Sequence, residues 1–437
     1  MRPSVSRRNL GRPITYCVIA AVGALAVRNA FVYPAIAGYD AREALDYARG
    51  LMDGHLPAGT GSYYTPPGFF AVGGVALEFG DWLGLDHPER VGQVGNALAA
   101  VSTLVLLLVL LRLLWPGREI LHLAAVVFFA ISPVVFKSAA MFHPEPLSML
   151  LSTAAIVLAA RLLVRPDRRL LVAAALGLAL GLAQLVRAWT LWTLAVVIAV
   201  LCVAALTRPR ERRMLLGAIG VAFAVAVLVP APWYAHQVIQ YHSALFGQQH
   251  PEEPVWSRRP LGFFVGGGLP DVVTHPYRPS FSRQFAPLAY DEAWGDYFGV
   301  WRWGVTKPTP TRSVSNQLVA MSIVGIPLTL LAVAGWIALL ALAVRHPGRA
   351  TERHLVALLP LAALAGTLYF ATSYPTADGD TIKGSFMLTA VPAWAACFGF
   401  AFDGLRLRYR RLAPVFFLCL ATLAVVSVPF LFAVSRL

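Results

Sequence analysis

Acids are scarce in this chain. Of 437 residues, 22 are Asp or Glu against 36 Lys or Arg, and charged residues of both signs make up only 13%. Cysteine is rarer still. Cys17, Cys202, Cys397 and Cys419 each fall inside an apolar stretch, so no disulfide framework is implied. No helix-turn-helix, zinc-finger or RNA-binding signature is present, so the net charge of +14 does not announce a nucleic-acid partner. Repeats at solenoid periods are absent, as is the inverted duplication common in transporters. His250 stands beside Glu252 and Glu253, but one histidine with adjacent acids is a thin donor set, and neither metal nor cofactor is expected.

What the chain has is hydrophobic residues, 58% of the total, arranged in long runs. About 20 apolar residues cross a bilayer as a helix, and eleven stretches qualify. They run roughly 14–37, 91–114, 119–137, 144–164, 170–187, 189–206, 214–234, 317–344, 354–373, 384–404 and 412–434. Every second connection is loaded with arginine: Arg2, Arg7, Arg8 and Arg12, then Arg112 and Arg118, then Arg161, Arg165, Arg168 and Arg169. The series continues with Arg208, Arg210, Arg212 and Arg213, then Arg345, Arg349 and Arg353, then Arg406, Arg408, Arg410 and Arg411. These are 21 of the 36 basic residues, whereas 17 of the 22 acids lie in or near the other connections. Basic excess marks the cytoplasmic side, where anionic headgroups also lie. The expectation is an all-α polytopic membrane protein of about eleven transmembrane helices, forming one domain over 1–437. Its N-terminus would be cytoplasmic and its first span an uncleaved anchor in the cytoplasmic membrane.

Two outward connections are long enough to carry function, 38–90 and 235–316. Their aromatics, Pro, Gly and charge suggest structured external loops. The first opens GYDAREALDYARGLMDGHLP and continues to SYYTPPGFF. Asp40 sits where the first span ends, and Glu43 and Tyr47 share its face if the segment is helical. Leu45, Ala48, Leu51 and Met52 would give that helix an apolar side to lay on the bilayer. Asp40 then reads either as a base for a hydroxyl group or as the N-cap of the helix.

Acids and cations recur at outer span ends. Glu145, flanked by His143, Pro144 and Pro146, is placed for a helix start or for chemistry. Arg187 ends the fifth span and Lys383 opens the tenth, on the side that topology rules leave poor in cations. Each fits an anionic ligand such as a lipid phosphate, or headgroup snorkelling. The second loop carries Tyr290, Trp294, Tyr297, Phe298, Trp301 and Trp303 among Asp291, Glu292, Asp296 and Arg302. That mixture suits sugar binding, the rings stacking on sugar faces and the acids taking hydroxyl hydrogen bonds. It equally suits an interfacial aromatic belt.

These segments, in this order, resemble the GT-C superfamily of polytopic glycosyltransferases, in particular the bacterial branch similar to protein mannosyltransferases and lipid A aminoarabinose transferase. The matching elements are GYDAREALDY with SYYTPPGFF, HPEPLSMLL, GLAQLVRAW, PWYAHQVIQYHSALFG and IKGSFMLTAVP. The pattern departs in three places. Asp40-Ala41 with Glu43 replaces an Asp-Glu pair, Ser385-Phe386 replaces an Arg-Tyr, and His236 stands where relatives often carry arginine. The resemblance implies a GT-C-like fold and an inverting sugar transfer from a polyprenyl-phosphate donor to an envelope glycan, lipid or protein acceptor. Membrane lipids would be its other partners. It further implies Asp40, Glu43 and Glu145 in catalysis. Arg187, Lys383, His236 and Arg28 would lie near the donor phosphate, and Tyr64, His143, Trp294, Asp296 and Tyr297 near the sugar or acceptor. Two other readings remain at this point. A lipid-linked sugar flippase would exploit Arg28 inside the first span, and a non-catalytic assembly subunit would not need Asp40.

Overall fold

A computed structural model describes residues 10–38, 40–56, 65–165, 167–244, 258–276, 284–295, 312–373 and 383–432. Among these the chain is all helix, with no strand. The spanning helices in order are α1 (Gly11–Val32), then, after two shorter helices α2 (Ala41–Met52) and α3 (Gly68–Trp82), α4 (Glu89–Leu114). Next come α5 (Glu119–Ala130) with α6 (Pro133–Ala140), α7 (Glu145–Val164), α8 (Arg169–Val186) and α9 (Leu191–Thr207). α10 (Arg212–Leu228) continues into α11 (Ala231–Tyr241); three short helices follow, α12 (Leu261–Val265), α13 (Asp271–Thr274) and α14 (Phe285–Trp294). The last four are α15 (Arg312–Arg345), α16 (His354–Ser373), α17 (Val391–Arg408) and α18 (Ala413–Ser427).

Nine helices are long and apolar enough to cross a membrane, and the bent pairs α5–α6 and α10–α11 bring the total to eleven among the described residues. Each coincides with one of the eleven apolar stretches in the sequence. The chain is a multi-pass membrane protein. Both bends follow from proline. The 55° bend falls at Ser132, whose backbone is extended because Pro133 disfavours the helical region for the residue before it. The 50° bend falls where Pro230 and Pro232 interrupt the ladder of α10.

Without a hydrophobic drive between helices in lipid, close packing depends on small residues. α8 and α10 show this. A Cβ on Gly181 would lie 2.7 Å from Val229 Cβ, and one on Gly177 would collide with the carbonyl of Ala222. α4 packs against α1, α3 and α7, while α17 lies against α5 and α15.

α2 and α3 pack face to face. Tyr47 stacks on Phe70 with ring centroids 4.1 Å apart, and Ala44, Leu45 and Ala48 are buried with Phe69 and Leu77. The expected bilayer contact of Leu45 and Ala48 is therefore corrected. Ala48 and Gly74 let the two helices come close, so the apolar face of α2 is consumed by α3. The exposed apolar stripe belongs to α3 instead, through Val72, Val75, Phe79 and Trp82. In the later connection, α12, α13 and α14 build a small core of Phe263, Val272, Phe285 and Leu288 closed by Ala371 of α16.

Candidate active site

Asp40, His143, Glu145, Arg187 and Lys383 converge at one end of the bundle, and all but Glu145, which opens α7, stand where helical backbone has stopped. Asp40 precedes α2 with φ 54°, a left-handed conformation that non-glycine residues rarely adopt. His143 lies in the four-residue bend between α6 and α7. Arg187 ends α8 in extended backbone, φ −157°, and Lys383 is extended before the 3-10 turn Gly384–Ala390.

Asp40 occupies the N-cap position of α2, but its side chain makes no capping hydrogen bond. The carboxylate instead accepts a hydrogen bond from Lys383 Nζ at 2.8 Å. The capping alternative for this side chain is thus overturned, since left-handed backbone turns it away from the α2 amides. Burial alone would raise the Asp40 pKa, but Lys383, then His143, the Lys383 hydrogen bond and Arg187 outweigh it and hold the carboxyl below its ordinary value. Asp40 is therefore a carboxylate at neutral pH.

Glu145 is buried in the first turn of α7, whose first two positions include a proline. The unsatisfied amides of that turn favour a negative charge. Arg187 Nη2 lies 2.9 Å from its Oε1, and His143 Nδ1 contacts its Oε2. Glu145 thus joins α7 to the end of α8 and to the α6–α7 bend. The two ion-paired groups are coupled, because both His143 and Arg187 act on Asp40. Together they present an ionised carboxylate beside an ammonium and a guanidinium, the ingredients for taking a proton and holding an anion.

Glu43 is half-buried in the first turn of α2. His236 is exposed on α11 against Trp233 and Tyr241. Arg28 hydrogen-bonds Asn29 and sits 5.1 Å over the Phe432 ring. Trp294 is 6% exposed, edge-on to Phe128, and donates to Thr329 Oγ1 at 2.9 Å. Its ring faces are committed to packing rather than open to a sugar. Tyr64, Asp296 and Tyr297 lie outside the described residues.

Gln93 and Asn96 escaped the sequence reading, and Glu292 was read there only as one acid of an aromatic-rich loop. Glu292 of α14 accepts a hydrogen bond from the Gly384 amide at 2.9 Å, anchoring the residue next to Lys383. A side chain on Gly384 would meet the Glu292 carbonyl at 2.7 Å, so the close approach requires glycine there. Gln93 and Asn96 of α4 hold the bend that carries His143. Their signal was available: two amides three residues apart, on one face of a mainly apolar helix.

No protein-family model matches the chain, and no curated protein matches its sequence. Solved structures do match. The oligosaccharyltransferase of Archaeoglobus fulgidus in its apo form aligns with TM-score 0.56 and 14% identity, over 96% of this chain and 55% of that one. The Archaeoglobus fulgidus oligosaccharyltransferase AglB with an inhibitory peptide and a dolichol-phosphate aligns with TM-score 0.59 and 14% identity, over 97% and 56%. ArnT from Cupriavidus metallidurans bound to undecaprenyl phosphate aligns with TM-score 0.47 and 16% identity, over 96% and 69%. The chain spans about half the length of the oligosaccharyltransferase structures it matches. At these identities what is shared is the architecture alone: the bundle described above has the fold of the oligosaccharyltransferase structures it matches.

Proposed function

We propose that this protein is an inverting glycosyltransferase that uses a polyprenyl-phosphate-linked sugar. The observation that carries the reading is the ion pair between Asp40 and Lys383 at 2.8 Å, with Arg187 close enough to act on the same carboxylate. Such a reaction needs a base for the acceptor and cations for the departing phosphate, and no covalent enzyme intermediate.

In the proposed step the acceptor oxygen attacks the anomeric carbon while Asp40 takes its proton. The bond from the anomeric carbon to the phosphate oxygen breaks, and its electron pair leaves on the polyprenyl phosphate. Arg187 and Lys383 stabilise the charge that develops there. An ammonium has three donors, so Lys383 can bridge Asp40 and the phosphate together. Glu145 and His143 keep Arg187 oriented toward the site, and Glu43, in the first turn of α2 after Asp40, would position the acceptor. His236, exposed on α11, is a further contact for the donor headgroup. Support for the lipid-phosphate donor comes from the fold match to a structure that contains a dolichol-phosphate. The arginine-rich connections at the opposite end support a cytoplasmic side there, and with it a site on the outer face of the cytoplasmic membrane.

The experiment is transfer from synthetic polyprenyl-phosphate sugars by purified wild-type protein and Asp40→Asn. It is paired with mass spectrometry of envelope glycolipids and glycoproteins from cells carrying either form. Asp40-dependent transfer with inversion at the anomeric carbon is expected. The two bent helix pairs are the feature a lipid-linked sugar flippase would share. Translocation of the donor across vesicles without any transfer would select that reading.

A further inference from the structure

Residues 141–144 join α6 to α7 outside either helix, yet they lie buried inside the bundle. Backbone groups at such depth need internal partners. Two side chains of α4 supply them. Gln93 Nε2 donates to the carbonyl of Tyr33, at 2.9 Å, and to that of Ala140, at 2.6 Å. Asn96 Nδ2 donates to the carbonyls of Met141 and His143, each at 2.8 Å. Gln93 is 1% exposed and Asn96 3%. One amide therefore spans the end of α1, which leads to Asp40, and the end of α6. The other latches the peptide group of His143 itself.

The side chains of the same segment are held as tightly. The Phe142 ring is seated between α3 and α4 where Gly73 and Gly92 leave room for it. A Cβ on Gly73 would lie 2.6 Å from its Cζ, and one on Gly92 would collide with the ring. Phe69 packs edge-on at 5.4 Å. With both backbone and ring held, His143 has little freedom to leave Glu145, and Glu145 in turn holds Arg187.

We infer that Gln93 and Asn96 are positioning residues, a pair of amides that register the α1 exit against the α6–α7 bend. They thereby bring the Asp40 segment and the His143–Glu145–Arg187 group into one site. This inference rests on the reading of that site as a polyprenyl-phosphate site. Satisfying buried carbonyls would by itself explain the hydrogen bonds, so the test must separate stability from site geometry.

The probe is undecaprenyl phosphate, its affinity measured by calorimetry on the full chain in lipid nanodiscs. Gln93→Met and Asn96→Leu keep side-chain bulk and remove the donors. Leu104→Ala, a buried truncation further along α4, serves as a destabilised control. Each amide variant is expected to bind at least tenfold more weakly, while Leu104→Ala binds as wild type despite a lower melting temperature. Asn96→Ser retains one donor and is expected to recover part of the loss. It also stands in if Asn96→Leu does not accumulate. Amide variants that bind like wild type would overturn the inference and leave the site reading standing. A wild-type chain that does not bind the probe would remove the site reading, and this inference with it.

Discussion

The two ends of the bundle both carry buried carboxylates, and they treat them differently. At the arginine-rich end, Asp403 of α17 is 1% exposed and is paired with Arg118 and, one helical turn away, Arg406. Arg208 with Glu352 and Arg169 with Glu211 link neighbouring connections there. Asp403 and Arg406 stand on regular helix, and Arg118 keeps 40% of its side chain in contact with solvent. At the other end, Asp40, His143, Arg187 and Lys383 all stand on non-helical backbone, and Arg187 and Lys383 are only 15% exposed. One end uses charge to tie helices together; the cations on Asp403 can still be hydrated, although Arg169 at the same end is itself buried. The other draws cations inward and holds their backbone irregular, an arrangement tolerated at membrane depth only where it is buried in protein or lines a cavity. That contrast separates a staple from a site.

The sharpest way to break the comparison is to neutralise one acid at each end. Asp40→Asn keeps the side-chain shape, loses no capping bond, and suits left-handed backbone, which asparagine tolerates better than most residues. Transfer from a polyprenyl-phosphate sugar should fall by about 10²–10⁴-fold, with only the small drop in melting temperature that losing the part-exposed Lys383 pair entails. Asp403→Ala should do the reverse, leaving turnover intact while lowering stability by about 1–3 kcal/mol. Exposed Arg118 can rehydrate, which keeps the cost below that of a fully buried broken pair. If the Asp40 variant melted early, or the Asp403 variant lost turnover at unchanged stability, the staple-and-site division would fail.

Next in size are the cations. Arg187→Gln or Lys383→Gln should each weaken binding of the phosphate-bearing donor by about 1.5–3 kcal/mol, read as a rise in donor Kd with acceptor dependence unaltered. Equal donor affinity in both variants would move the phosphate elsewhere.

The pH profile gives a smaller and more specific signal. The Asp40 pKa is depressed in the folded protein, so its contribution to stability is present above the unfolded value and is lost as pH falls through the folded one. Lys383 leads the influences that lower it, and burial opposes them. Removing the lysine should therefore raise the Asp40 pKa and move the acid limb of the pH–rate curve upward in Lys383→Gln. An unmoved limb would mean that the observed titration belongs to another group.

The smallest effect is expected at Glu292. Glu292→Gln keeps an oxygen for the Gly384 amide, so donor affinity should change by no more than a few-fold, whereas Glu292→Ala should cost about 1 kcal/mol more. Parity between the two variants would show that the α14 contact does not steer Lys383.

Hydropathy and arginine spacing determined the helical class and the eleven spans, because a bilayer forces each spanning segment to be long, apolar and internally hydrogen-bonded. Motif order likewise pointed to Asp40, Glu145, Arg187 and Lys383 as one set, since unusual charges at span ends are visible without coordinates. Pairing was not legible. Lys383 finds Asp40 across 343 residues of chain, and nothing in local spacing distinguishes that partner from a headgroup. Nor was the fate of α2 legible, since an amphipathic helix looks the same whether lipid or α3 covers its apolar face. The amides of α4 were legible as oddities and not as a clamp, because their partners are main-chain carbonyls that carry no sequence signal. The amino-acid order thus determined which segments enter the membrane and which side chains are costly there. Only the tertiary structure decided which costs are met by mutual pairing at a staple and which are gathered into a site, because that depends on distances between segments far apart in the chain.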